Sequence, residues 1–468
     1  MLTRRRFVGY SALSSALLAS RPLLHSSWGQ EPAQRPLRLA ILGSVYRQQS
    51  QMQTLADRFL VGYPYDGEWH LPHVQVVSVY VDQLARQVQA APSPYQLAMT
   101  GAKLAPASSA KGIAGGLGRE QNLPEKQEST SDLSKARGQQ FGFRLFSNIP
   151  EALRCGGDRI AVDAVLAIVE QDDYPSNSKG QVLLPSYDFF QQCVQVFEDE
   201  GHAVPYFNHK QLSFSFEQAQ TMVKTANRLR FPLLAGSSLP VTWRLPDVDI
   251  PLGAEVEEAV MVAGGYDSMD FDALEALQCM LERRKGGETG VKAVQLLEGD
   301  DVWAAGKTGR WSNDLLSSAL SRSDTPLGLT VLDGRTQDLV ASGVLPQLVK
   351  DPAAYCIEYN DGTRATLLML NGAIMDFNIS ARVTGHGLVS TQFFLPPAPN
   401  DTYSACLAAK IEQTFQSRSA TYPVERTLLT TGLLEACMNS RHRLNQRLET
   451  PQLAVNYQPP AESQYART

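Results

Sequence analysis

The sequence predicts an α/β Rossmann-type N-terminal domain built on a parallel sheet, followed by an α+β domain with a largely antiparallel sheet. Three observations carry this. The stretch "RLAILGSVYRQQSQMQTLADRF" (38–59) reads as strand, glycine turn and helix. Apolar runs and helical patterns then alternate as far as residue 240, as βαβ units require. Beyond residue 255 the apolar segments follow one another with hairpin signals between them, as antiparallel strands do.

Taken in order, "LRLAIL" (37–42) is a continuous apolar run, the mark of a parallel strand buried on both faces. "QQSQMQTLADRFL" follows with helical character, then a Gly/Pro/aromatic loop, "VGYPYDGEWHLPH", then the β-branched strand "VQVVSVYVD" (74–82). Residues 91–137 are rich in Ala, Gly, Ser and Lys without a sustained period, and read as a mobile insertion. The alternation resumes with "FGFRLF" as strand, "NIPEALRCG" as helix and "RIAVDAVLAIVE" (159–170) as strand. The helix "SYDFFQQCVQVFEDEG" (186–201), the strand "AVPYF", the helix 214–230 and the strand "FPLLAGSS" (231–238) complete the parallel sheet. In the second half, "EVEEAVMVAGG" (255–265) is a strand and "DFDALEALQCMLERRKGG" a helix. "KAVQLLEGDDVWAAGKTGRW" reads as strand and loop, and "AAYCIEYNDGTRATLLMLNG" as a hairpin turning at Asp361-Gly362. "IMDFNISARVTG" and "LVSTQFFLPP" are further strands of a sheet expected to expose one face, and "PVERTLLTTGLLEACMNSRHR" is the last helix. The domain limits expected are a signal segment at 1–35, the first domain at 36–240, the second at 241–443 and a loose tail at 444–468.

Composition bounds the function. The chain has 468 residues, is 43% hydrophobic and 19% charged, and carries a net charge of -6. That balance leaves no basic footprint for nucleic acid. Arg4 and Arg5 precede Phe7 and a mild apolar stretch, the pattern of a twin-arginine export signal. It implies passage through the twin-arginine machinery to the periplasm, as a released protein or one anchored facing it. The six cysteines are scattered with no C-x-x-C, so neither a zinc site nor a redox pair is expected, and the thiols read as buried and free.

The opening turn is the first candidate site. A dinucleotide-binding turn needs three glycines: for the tight turn, for backbone approach to the pyrophosphate, and for helix–strand packing. "GSVYRQ" keeps only Gly43; Val45 and Gln48 stand at the other two positions. Gly43, Ser44, Tyr46 and Arg47 are the candidate phosphate contacts, and Asp82, ending the second strand, suits a ribose hydroxyl. Asp82 points towards NAD and Arg47 towards NADP; loss of the cofactor is the third option.

The stretch "EGHAVPYFNHKQLSFSFEQAQTMVKTANRLRFPLLAGSS" resembles the Gfo/Idh/MocA oxidoreductase family, whose segment reads approximately G-K-H-V-x-x-E-K-P-L, then a helix and a strand ending in glycine. Gly201, Lys210, Leu212 and Gly236 line up if two residues are inserted before His209. The resemblance implies a nicotinamide cofactor at the carboxyl edge of the parallel sheet, with Lys210 beside the substrate oxygen and the nicotinamide. A lysine there supplies positive charge or a proton as a hydroxyl becomes a carbonyl. The family's motif glutamate falls on His209 and its proline on Gln211. The family's histidine at the head of the next helix falls on Asp272, leaving Asp272 or His209 as proton partner, or Asp270 or Asp272 as helix caps. Tyr206 and Lys210 also spell Y-x-x-x-K, but a strand does not present that pair as a helix does.

At the domain junction "AGSSLPVTWRLP" (235–246) follows a parallel strand, where open α/β sheets bind ligands. Trp243 and Arg244 suit stacking on and hydrogen bonding to a sugar-like molecule, or packing of a linker. Two functions follow as expectations. One is NAD(P)-dependent oxidation of a sugar-like or polyol hydroxyl; the other is non-catalytic binding of a carbohydrate or cell-envelope component on the same fold. A homo-oligomer is compatible with both.

Overall fold

The computed structural model describes residues 35–83, 132–170, 173–264, 269–325, 338–349, 351–396 and 400–467. The segment expected to be an export signal, apart from Arg35, and the segment 91–137 expected to be an insertion, apart from its last residues, lie outside them.

The first strands are β1 (Leu37–Gly43), the small hairpin β2 (Tyr63–Tyr65) and β3 (Glu68–His70), and β4 (Val74–Val81). They are followed by β5 (Arg144–Phe146), β6 (Ala164–Ile168), β7 (Tyr206–His209) and β8 (Leu233–Gly236). Leaving out the hairpin, six strands form one sheet in the order β5-β4-β1-β6-β7-β8, every pair parallel. Counted along the chain this is 3-2-1-4-5-6, the order of a doubly wound dinucleotide-binding sheet. The hairpin falls within the segment expected to be a loop.

Six helices belong to this half: α1 (Gln51–Ala56), α2 (Arg58–Val61), α3 (Ser134–Phe141), α4 (Ile149–Arg154), α5 (Ser186–Glu200) and α6 (Phe216–Leu229). Helix α6 shows why they form. Ser215 caps its start by accepting from the Gln218 amide, and Phe216, Ala219, Met222, Val223 and Ala226 recur on one buried face. Helix α5 ends at Gly201 in the left-handed region, φ 62°, where a glycine costs nothing.

The second sheet comprises β9 (Trp243–Leu245), β10 (Val256–Ala263), β11 (Val291–Glu298), β12 (Ala353–Tyr359), β13 (Arg364–Met369), β14 (Phe377–Val383), β15 (Gly387–Phe394) and β16 (Leu448–Glu449). Its order is β16-β11-β12-β13-β10-β14-β15-β9, antiparallel except for the pair β10 and β13. The fold is thus a Rossmann-type parallel sheet followed by an α+β half on a largely antiparallel sheet.

The helices of this half are α7 (Asp270–Leu281), α8 (Asp300–Lys307), α9 (Asn313–Leu320), α10 (Leu345–Leu348), α11 (Tyr403–Ser417) and α12 (Glu425–His442). Two expectations change here. The segment read as a loop after β11 begins with α8. The large sheet does not expose a face: Val260, Val262, Cys356 and Leu368 are covered by Trp311, Leu315, Leu316 and Leu348, while Met261, Ile357 and Leu367 face the core shared with α7 and α12. Polar residues between α8 and α10 hid this covering layer from a period-based reading.

Helix α11 packs back on the parallel sheet. Its Leu407, Ile411 and Phe415 join Leu39, Ile41 and Leu166 in one buried cluster. Each such side chain contributes about 1.5–3 kcal/mol by leaving water. The tail, expected to be loose, is packed: Tyr457 donates to Glu282, Tyr465 lies 3.9 Å over the Arg244 guanidinium, and the Ala466 amide donates to Val241. All six cysteines are free, five of them buried and Cys155 partly so.

Candidate functional site

Parallel strands bring their carboxyl ends to one edge, so Gly43, Glu170, Lys210 and Gly236 gather there although they lie far apart in the chain. Lys210 leaves β7 with φ 61°, a left-handed turn, and its amide donates to the Gly236 carbonyl at 3.0 Å. That backbone corner aims the side chain at the head of α7, where Nζ donates to Asp272 Oδ2 at 2.9 Å. Lys210 is partly exposed and Asp272 is buried. The cap of α7 is Met269 and makes no side-chain cap bond. Neither aspartate therefore caps the helix: Asp270 accepts from the Tyr355 hydroxyl and Asp272 pairs with Lys210.

Beneath this pair sits Glu275, one helical turn further along α7 and buried. Its oxygens accept from the Ser237 amide at 2.6 Å and the Thr427 hydroxyl at 2.6 Å. Burial pushes its carboxyl up to about 7, against the pull of these donors. Gly236 is required above it: φ is 130°, and a Cβ would stand 2.5 Å from a Glu275 oxygen. His209 is buried, and burial first, then the charge of Lys210, pushes its imidazole down to about 3. It is a neutral imidazole at physiological pH, available as acceptor rather than acid. Asp272 Oδ1, His209 Nδ1 and Ser237 Oγ are buried with no hydrogen-bond partner among the described residues. Natively such atoms are few, and the unpaired Asp272 Oδ1 leaves the ion pair with an unused acceptor.

The residues predicted to hold a cofactor are placed differently. Gly43 packs against Met52, whose sulfur would lie 2.3 Å from an added Cβ. Ser44 is buried and its hydroxyl accepts from the Glu170 amide at 3.0 Å. Tyr46 is turned into the core, its hydroxyl donating to Asp57, which also pairs with Arg137 at 2.8 Å. Arg47 is partly exposed; burial pushes the Glu170 carboxyl up, and the charge of Arg47 only opposes that rise. Asp82 is exposed, and its two oxygens accept from Tyr80 at 2.7 Å and Tyr174 at 2.8 Å. With one glycine, a buried Tyr46 and an Asp82 already engaged, these residues do not fit a nicotinamide dinucleotide in the pose this fold ordinarily gives it.

Of the predicted ligand contacts, Arg244 is buried, pairs with Asp249 at 2.8 Å and lies under Tyr465. It serves packing. Trp243 is half-buried and packs on the cluster beneath the parallel sheet. Tyr206 is buried edge-on to Phe190, away from any Y-x-x-x-K geometry. Sequence reasoning missed Glu275, Thr427 and Tyr403; burial and the charges of Asp401 and Asp272 push the Tyr403 phenol up to about 12. Only the position of Glu170 at a parallel strand's carboxyl end was legible beforehand.

No protein-family model matches the chain, and no curated protein sequence does either. Among solved structures it is similar to GenD2 from gentamicin A biosynthesis in complex with NAD, at 12% identity and a TM-score of 0.49, covering 89% of this chain and 96% of that one. It is similar to an inositol dehydrogenase homolog from Azotobacter vinelandii complexed with NADH and myo-inositol, at 12% identity and a TM-score of 0.44, covering 89% and 98%. A Gfo/Idh/MocA family oxidoreductase from Vibrio cholerae is similar at 11% identity and a TM-score of 0.43, covering 88% and 100%. At such identity the likeness is one of fold.

Proposed function

We propose that the chain recognises a small polyhydroxylated molecule, sugar-like or a cyclic polyol, at the Lys210–Asp272 centre on an oxidoreductase-type scaffold. The observation that carries this reading is the ion pair itself, joining the end of β7 to α7, with Asp272 Oδ1 left unpaired among the described residues. Vicinal hydroxyls are donors and acceptors at once. One can donate to Asp272 and its neighbour can accept from Lys210, so the pair reads two adjacent groups. The test is calorimetric titration with a panel of cyclic polyols and sugars, myo-inositol first. Lys210→Met is expected to weaken binding at least about ten-fold, the worth of one charged hydrogen bond. Equal affinity in the variant, or no binding by the unaltered chain to any member of the panel, refutes the reading.

The second reading is oxidation of such a hydroxyl with a nicotinamide acceptor. The 3-2-1-4-5-6 strand order and the place of Lys210 at its carboxyl edge favour it. Denaturing the purified protein and assaying the supernatant for nicotinamide dinucleotide separates the two. Export completes the proposal. Fused to a reporter active only in the periplasm, residues 1–35 are expected to lose export when Arg4 and Arg5 are both changed to Lys, and unchanged export overturns that part.

A further inference from the structure

We infer that Glu170 occupies the phosphate seat of this fold with the chain's own carboxylate, so that no dinucleotide binds there. In a doubly wound sheet the pyrophosphate is held by the amides opening the first helix. Here every one of those amides is taken. Gln51 N donates to Glu170 Oε2 at 3.1 Å and Met52 N to Glu170 Oε1 at 3.3 Å. Gln53 N donates to the Ser50 hydroxyl at 3.1 Å and Ser50 N to the Arg47 carbonyl at 3.1 Å. A helix start has four such donors, and none remains for a ligand.

Glu170 is held there from its own side as well. Its amide donates to Ser44 Oγ at 3.0 Å, and that hydroxyl returns a bond to the Glu170 carbonyl at 3.3 Å. The single surviving glycine of the turn is closed by Met52. Burial pushes the Glu170 carboxyl up, and the Gln51 and Met52 amides, then the charges of Arg47 and Lys210, oppose that rise. An incoming pyrophosphate would have to break two charge-assisted hydrogen bonds, each worth about ten-fold or more in an equilibrium constant, and lie against a like charge. The departures of the turn from three glycines are thus one half of a replacement whose other half is Glu170, at the end of β6.

The inference stands apart from the polyol reading, because it concerns the nucleotide seat and not the Lys210–Asp272 centre. Its first test is fluorescence titration of the full chain with NADH and with NADPH. No saturation is expected up to about 1 mM. A dissociation constant below about 0.1 mM for either overturns the inference and leaves polyol recognition to its own titration. The second test is amide hydrogen exchange in Glu170→Ala. Gln51 and Met52 are expected to exchange about ten-fold faster or more than in the unaltered protein, with the strands of the parallel sheet unchanged. Equal exchange at the two amides overturns the seat. If Glu170→Ala does not fold, the NADH and NADPH titrations decide alone.

Discussion

Glu275 and His209 lie on the same strand-end corner, and burial acts on them with opposite signs. Glu275 holds its proton more tightly in the folded chain, up to about 7 against an ordinary 4.5. The folded state therefore binds more protons than the unfolded one between those values, and stability falls as pH rises through them, by about 3 kcal/mol. His209 is pushed down to about 3 from 6.5, so its contribution rises over that interval and partly cancels the fall. Glu275→Gln removes only the first effect. Measured by urea unfolding, the variant is expected to gain stability relative to the unaltered chain between pH 4.5 and 7.5, by up to about 3 kcal/mol. A constant difference across that range refutes the assignment. At this scale the sequence named Lys210 and Asp272, which the fold joins, but it could not foresee Glu275, whose role depends on Gly236 and Thr427 closing over it.

Among the elements, legibility followed burial. Strands such as β6, "AVLAI", are buried at every residue, and an unbroken apolar run is what a two-sided parallel strand must show. The Asp361-Gly362 turn sits where the hairpin signal put it, with Gly362 at φ 92°. Helix α11 was equally periodic, with Leu407, Ile411 and Phe415 spaced by four, yet went unassigned behind the proline-rich stretch before it. The hairpin of β2 and β3 was hidden by Pro64 and Gly67. Its anchor is distant: Glu412 on α11 accepts from Tyr63 at 2.8 Å, His70 Nε2 lies 2.8 Å from the same carboxylate, and the His73 amide donates to it at 2.8 Å.

Across the whole molecule, helix α12 and the tail lock onto α7 and the segment between β9 and β10. Arg426 on α12 donates twice to Glu282 at the end of α7, at 2.8 and 2.5 Å, with both groups buried. Tyr457 donates to the same Glu282 at 2.9 Å, and Ser463 to Asp249, the partner of Arg244. Truncation after Leu444 removes Tyr457 and Ser463, together with the buried Leu453 and Tyr465. It is expected to cost about 3 kcal/mol or more, because removing one side of a buried polar cluster leaves the other side unpaired. A chemical denaturation midpoint equal to that of the full chain refutes the strap.

By itself the sequence determined the alternation of strands and helices through the first half and the class of each half. Those follow from local propensity and from the period of apolar residues, which neighbours in the chain settle among themselves. Only the tertiary structure decided which carboxylate faces the opening turn, which polar atoms stay unpaired beside Lys210, and that Arg244 and the tail serve packing. These depend on contacts between residues far apart in the chain, 118 positions for Glu170 and Met52, and 218 for Asp247 and Tyr465. No local pattern encodes such a pairing, because either partner alone is an ordinary polar residue until the backbone brings the other within reach.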